Sequence, residues 1–166
     1  NSSDTEKVYY SGLGTLTYDY ELEKVAMQRA AELVAMYSHT RPNGSSCFTA
    51  YPSTYTNQYL AENIAIGISN LDAARAFELW KEDDKAYAGQ GHRRNMLNSV
   101  YNAVGIAHVY YKGCHYWVQE FSSKIGSSTY NEPADGETDM TVSIAQTFIQ
   151  SDTLRSEHDS IELLIG

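Results

Sequence analysis

Ala103-Val104-Gly105-Ile106-Ala107-His108-Val109-Tyr110-Tyr111, then Lys112-Gly113, then Cys114-His115-Tyr116-Trp117-Val118-Gln119-Glu120-Phe121-Ser122, is the clearest strand signal in the chain. Two runs rich in β-branched and aromatic residues flank a two-residue turn ending in glycine, the pattern of a tight antiparallel hairpin. With Lys112-Gly113 as the turn, Tyr111 faces Cys114, His108 faces Trp117 and Val104 faces Phe121. Ile106 shares the Val104 face, and this bulkier side is expected to be the core side.

Working outward, helical patterns precede the hairpin. Asp19 reads as an N-cap, with Glu21 and Glu23 in the first turn where the helix dipole favours acids. Leu22, Val25, Ala26, Ala30, Leu33, Val34 and Tyr37 follow at helical spacing, predicting an amphipathic helix over 20–37 that Pro42-Asn43-Gly44 stops. Residues 45–59 read as loop or short helix, with Tyr51, Tyr55 and Tyr59 at four-residue spacing expected to pack on the body of the domain. Leu60 to Gly67 is apolar but interrupted by Glu62 and Asn63. A second helix is expected from near Ser69, burying Ala73, Phe77 and Trp80. A short helix is expected over 92–97, after Gly89 and Gly91. Beyond Lys124 the composition shifts to Ser, Asn, Pro, Asp and Gly, and alternation at Met140-Val142-Ile144 and Ile161-Leu163 predicts two short strands. The organisation read from this is a main domain over 1–126 and a linker with a C-terminal β extension, or the start of a truncated second module, over 127–166.

The chain has 166 residues, 42% apolar and 20% charged, the balance of a globular domain. Twelve Lys and Arg against 21 Asp and Glu give a formal net charge of −9, which argues against nucleic acid held by bulk charge. No run approaches the ~20 apolar residues of a membrane-spanning helix. Two cysteines are too few for a disulfide-stapled miniprotein or a four-cysteine zinc site. Cys47 and Cys114 read either as one disulfide or as two buried thiols.

Three ionisable residues stand where apolar ones are expected. Glu62 lies inside Leu-Ala-Glu-Asn-Ile-Ala, His39 directly follows the first helix, and His92 opens the short one. A carboxylate in an apolar run needs a partner, because an unpaired buried charge is costly. A His–Glu cluster can hold a divalent metal, do general acid–base chemistry, or form a hydrogen-bonded polar core. No His-Glu-x-x-His, Gly-x-Ser-x-Gly, phosphate loop or dinucleotide fingerprint competes. Cys114 and His115, as strand neighbours, point to opposite faces and form no dyad.

Five motifs then occur in one order: Ser38-His39-Thr40-Arg41-Pro42, Ala61-Glu62-Asn63-Ile64, Gly91-His92-Arg93-Arg94-Asn95-Met96-Leu97-Asn98, Val104-Gly105-Ile106-Ala107 and Tyr116-Trp117-Val118-Gln119-Glu120-Phe121. Together, over about Leu16 to Ser123, they resemble the CAP superfamily of cysteine-rich secretory, antigen 5 and pathogenesis-related 1 proteins, or SCP-like domains, in its bacterial branch. The resemblance implies an α+β fold, an α-β-α sandwich with a central antiparallel sheet. It also implies a cleft of two histidines and two acids that binds zinc or another divalent cation in several members. His39 and His92 match the histidines and Glu62 the first acid. The second acid usually lies three residues after a tryptophan, which gives Asp83, with Glu82 adjacent. The tail after Lys124 falls outside the family pattern. Family usage favours a secreted or cell-surface protein and raises the prospect of a Cys47–Cys114 bridge.

Two imidazoles with carboxylates as ligands or as holders of metal-bound water would bind a divalent metal weakly. The reading this supports is a surface module that binds an extracellular protein, lipid or surface component, with no nucleic acid and no transmembrane segment. One alternative is a metal-dependent, peptidase-like hydrolase with Glu62 as base. Another is a structural spacer in a larger surface protein.

Overall fold

In the computed structural model the described residues are 10–130. The strands expected around Met140–Ile144 and Ile161–Leu163 lie outside them. The chain runs β1 (Thr17–Tyr18), α1 (Tyr20–Ala35), two single 3-10 turns (Cys47–Ala50 and Ser53–Tyr55), β2 (Leu60–Ile68), α2 (Ala73–Lys81), a further 3-10 turn (Tyr87–Gly89), α3 (Gly91–Met96), β3 (Ala103–Tyr111) and β4 (Cys114–Ser122). The strands form one sheet in the order β1-β3-β4-β2. It is antiparallel except for the two-residue β1, which runs parallel to β3. Helix α1 covers one face and α2 with α3 the other, so the architecture is an α-β-α sandwich.

The hairpin has the register its turn dictates: Tyr111 pairs with Cys114, His108 with Trp117 and Val104 with Phe121. Which face meets α1 is the reverse of what side-chain bulk implies. The principal core is built on Ala107, Val118, Tyr116 and Ile64 against Ala26, Ala30 and Leu33 of α1, while Val104 and Ile106, on the other face, are half-buried. The small residues of β3 are on the α1 side because the helix approaches closely there. A Cβ built on Gly105 would fall within the backbone of Leu22 and Glu23.

Asp19 caps α1, its carboxylate accepting from the amides of Glu21 and Leu22. The same wholly buried carboxylate accepts from the Tyr55 hydroxyl and the Gly126 and Ser127 amides, tying the returning chain to the helix start. Helix α1 ends at Ala35, two residues before the expected Tyr37. Met36 is already extended, and the chain turns back so that the Ser38 carbonyl reaches Arg29.

Three further expectations are corrected. Helix α2 starts at Ala73 with Asp72 as its cap, because Ser69 and Asn70 hold left-handed backbone angles (φ 44° and 62°). It buries Ala76 and Trp80, one turn apart, while Ala73 and Phe77 are exposed. Tyr51 and Tyr55 are buried but Tyr59 is exposed, since short 3-10 turns replace the helix that would have aligned them.

The two cysteines are free. Cys47 lies near Glu62, whose strand partner is Glu120, whereas Cys114 begins β4 six residues earlier. Six strand residues span about 20 Å, far beyond the ~7 Å Cα separation a disulfide tolerates.

Candidate functional site

The site grows from two adjacent residues of β2. Neighbouring strand residues point to opposite faces, so Glu62 faces the α1 layer and Asn63 the α2/α3 layer. Glu62 Oε1 meets His39 Nδ1 at 2.7 Å. Asn63 donates from Nδ2 to the His92 carbonyl (3.2 Å) and to Gln119 Oε1 (3.0 Å), and its own oxygen accepts from Asn95 Nδ2 (2.8 Å). One edge strand therefore holds both histidine-bearing segments, one from each layer.

His92 has its own carboxylate. Glu82 Oε1 lies 2.9 Å from His92 Nδ1, and Oε2 accepts from the His92 amide at 2.9 Å and the Arg93 amide at 3.4 Å. Glu82 thus caps α3 and orients its histidine at once. Asp83, the residue expected from the spacing after Trp80, instead pairs with Lys81 Nζ at 3.1 Å and is exposed. The reason is local: α2 stops at Lys81, and Glu82 turns left-handed (φ 46°, ψ 29°), which brings it rather than Asp83 toward α3. Burial alone would raise the Glu82 carboxyl, but hydrogen bonds from Lys85 and His92 outweigh it and bring it down to about 2.

The structure therefore gathers His39 with Glu62 and His92 with Glu82, as two histidine–carboxylate pairs. In each ring Nδ1 is engaged by a buried carboxylate, which leaves Nε2 for a ligand. The side chain of His39 is 57% exposed and that of His92 35%, so solvent reaches both. A carboxylate on the far ring nitrogen is how proteins fix the tautomer and orientation of a metal-binding imidazole.

The model of the cysteine-rich secretory protein family, CAP, matches residues 10–121. The chain belongs to the CAP family. No curated protein matches the sequence closely. Among solved structures, an extracellular SCP-domain protein of Bacillus anthracis aligns with 69% of this chain and 35% of its own, at 21% identity and a TM-score of 0.52. An outer surface protein of Borrelia burgdorferi aligns with 74% of this chain and 94% of its own, at 20% identity and a TM-score of 0.53. At such identities the likeness is one of fold. The chain spans about a third of the length of the Bacillus anthracis protein. Among the described residues of this CAP domain, no helix is long and apolar enough to cross a membrane.

Behind the His39 pair lies a buried ionic network. Arg29, with no exposed surface, donates from Nε to Glu62 Oε2 (2.7 Å), from Nη1 to Glu32 (2.7 Å) and from Nη2 to the Ser38 carbonyl (2.7 Å) and Glu62 Oε1 (3.3 Å). Arg41 reaches Glu32 from the other side at 2.7 Å. Burial works to raise the Glu62 carboxyl, but hydrogen bonds from His39 and Arg29 and the arginine charge hold it below the ordinary value. Glu120 pairs with Glu62 across the β2–β4 ladder and is fully buried. Its Oε2 accepts the Tyr51 hydroxyl at 2.7 Å, and its Oε1 has no donor. Burial and the Glu62 charge push the Glu120 carboxyl well above the ordinary carboxylate range. Two carboxylates cannot share this site as anions, and Arg29 and His39 both address Glu62. Glu62 therefore carries the charge, and Glu120 keeps its proton.

Cys47, His39 and Glu62 place one ligand atom each within 4.8 Å of one another. Both Glu62 oxygens are already taken, however, and a cation bound there would sit beside the Arg29 guanidinium. The Cys47 thiol is pushed up to about 12 by burial and then by the charges of Glu62 and Glu120, which marks a protonated, unreactive thiol. Glu62 thus orients His39 through Oε1.

His39, His92 and Glu62 were singled out in the sequence, with Asp83 put ahead of the adjacent Glu82 as the fourth residue. Arg29, Asn63, Asn95, Gln119, Glu120 and Tyr51 were missed. A polar residue in an apolar run needs partners wherever it stands, and that need holds equally for Asn63 and for Gln119-Glu120, which it would have flagged.

Proposed function

We propose that this chain is the CAP module of an exported or cell-surface bacterial protein, and that its cleft binds a divalent cation weakly. His39 and His92 would hold the ion through Nε2. Glu62 and Glu82 would fix the rings from behind. Zinc suits two imidazoles with water completing its shell. One observation carries the reading: each histidine is both solvent-accessible and locked at Nδ1 by a buried acid. A purely structural polar core would bury the rings as well as the acids.

The module would act by holding a partner, lipid or surface component at this edge, with the metal as part of the recognition surface. The bound ion could polarise a ligand oxygen. Turnover would in addition require a free general base, and both carboxylates are committed to their histidines and cations. Calorimetric zinc titration at neutral pH tests the metal reading. The wild-type chain should take one ion at the cleft, lost in His39→Ala/His92→Ala and weakened in Glu62→Gln. Equal zinc binding by the wild type and the double variant would remove the cleft from consideration. A chelator-sensitive hydrolytic activity abolished by the same double variant would replace the binding role with catalysis.

A further inference from the structure

The hairpin carries a second pair of histidines, remote in register from the cleft acids. His108 pairs with Trp117 and Tyr110 with His115, so His108 and His115 are diagonal neighbours on the face away from α1. His108 Nε2 lies 2.9 Å from His115 Nδ1. The ring planes differ by only 16° with centroids 5.0 Å apart, the geometry of two imidazoles meeting edge to edge. The pair is held in place. His108 stacks on Trp117 at 4.1 Å, and the Trp117 indole donates to the Leu71 carbonyl at 2.8 Å, anchoring the platform. Tyr110 packs on His115 at 4.6 Å. His108 is exposed and His115 half-exposed.

The geometry points to a second transition-metal site here, in which His108 Nε2 and His115 Nδ1 chelate one square-planar or octahedral ion such as Cu²⁺ or Ni²⁺, with water in the remaining positions. Two cis ligands at the ~2.0–2.1 Å of a metal–imidazole bond stand about 2.9 Å apart, whereas tetrahedral ligands stand about 3.4 Å apart. The hydrogen-bonded separation equals the cis bite, so tilting the two rings toward one ion would complete the chelate, and imidazole pairs in tetragonal geometry select Cu²⁺ and Ni²⁺. Coordination needs neutral rings. The proton between the two facing nitrogens has somewhere to go: the ring that carries it changes tautomer, leaving His108 protonated on Nδ1 and His115 on Nε2. Binding to the neutral pair thus releases no proton, and binding to a singly protonated pair releases one.

The test is a Cu²⁺ titration of the full chain, followed by Trp fluorescence and by electron paramagnetic resonance. Cu²⁺ quenches nearby indoles, and Trp117 lies against His108. In the His39→Ala/His92→Ala background, which removes the cleft, saturable quenching should persist, with a resonance spectrum of two nitrogen ligands. His115→Ala keeps the His108–Trp117 stack but halves the chelate, so its midpoint should rise roughly 100-fold. His108→Ala should do the same. A midpoint unmoved in both single variants, or quenching that vanishes with the cleft histidines alone, would overturn the assignment.

Discussion

Replacing Glu120 with glutamine tests the proton assignment at the centre of the site. Glu120 is fully buried, and its carboxyl lies well above the ordinary value of 4.5 because of burial and the Glu62 charge. The unfolded chain therefore releases this proton near pH 4.5 while the folded protein keeps it. In that window the folded state binds more protons, so stability falls with pH. The slope is about 1.4 kcal/mol per pH unit until the folded value is passed. Glutamine has no such proton. Its amide is neutral like the protonated acid, and its oxygen can still accept the Tyr51 hydroxyl. Urea melts in unit steps upward from about pH 4.5 should show wild type and Glu120→Gln nearly equal at the acid end. The variant should then gain about 1.4 kcal/mol on the wild type per step. Glu120→Ala should be less stable at the acid end by roughly 2–3 kcal/mol, having lost both volume and hydrogen bonds. Curves for wild type and Glu120→Gln that stay parallel across the range would show that Glu120 ionises alike in both states, and the account of Glu120 as a neutral acid would fail.

Arg29→Met should leave Glu62 and Glu32 short of their buried cation and lower stability by about 3–5 kcal/mol in urea denaturation; a loss below about 1 kcal/mol would contradict the network. Gly105→Ala should be destabilised by about 1–3 kcal/mol with an unchanged denaturant slope, since the new methyl meets α1 backbone. Glu82→Gln should lose about 1 kcal/mol through weaker capping of α3, along with zinc affinity in calorimetry, while Asp83→Asn should leave both unchanged. The Glu82 carboxyl is depressed from 4.5 to about 2, so its contribution is present above the ordinary value and disappears as pH falls across that interval. An acid melt in which Glu82→Gln and wild type lose stability in parallel would count against this sign.

Local rules carried the fold a long way. A two-residue turn fixed every pair of the β3–β4 ladder, because hairpin register follows from the turn. Asp19 announced α1 because its carboxylate answers orphan amides. The face assignment failed for a tertiary reason: closeness of approach, invisible in β3 alone, rewarded Ala103, Gly105 and Ala107 over Val104 and Ile106. The acid after Trp80 was misplaced by one because a spacing rule assumes continuous helix, and a single left-handed residue changes where the next side chains point. Arg29 was concealed by its place at helical spacing among alanines, where it reads as a solvated charge. Only the fold of the chain at Ser38 closes the cage around it.

The strand that escaped assignment, β2, is the one that makes the site. It is an edge strand, and such a strand normally presents unpaired backbone to solvent. Here the Ile64 carbonyl accepts from the Trp80 indole (3.1 Å) and the Tyr37 hydroxyl (3.4 Å), one donor from each side of the sandwich. Glu62 and Asn63 then use the strand's two-residue period to hold His39 from one layer and the His92 segment from the other. A polar residue on each face is an anomaly by strand propensity, and the apolar pattern of Leu60 to Ile68 is broken at those two positions alone. The same break that hid the strand from its sequence pattern is what places two imidazoles along one exposed edge. A variant that restored the pattern, Glu62→Val, would make a better strand and leave the buried Arg29 with Glu32 as its one remaining carboxylate partner. Site and fold are therefore coupled through a single residue pair, and the ligand-binding edge cannot be simplified without loosening α1.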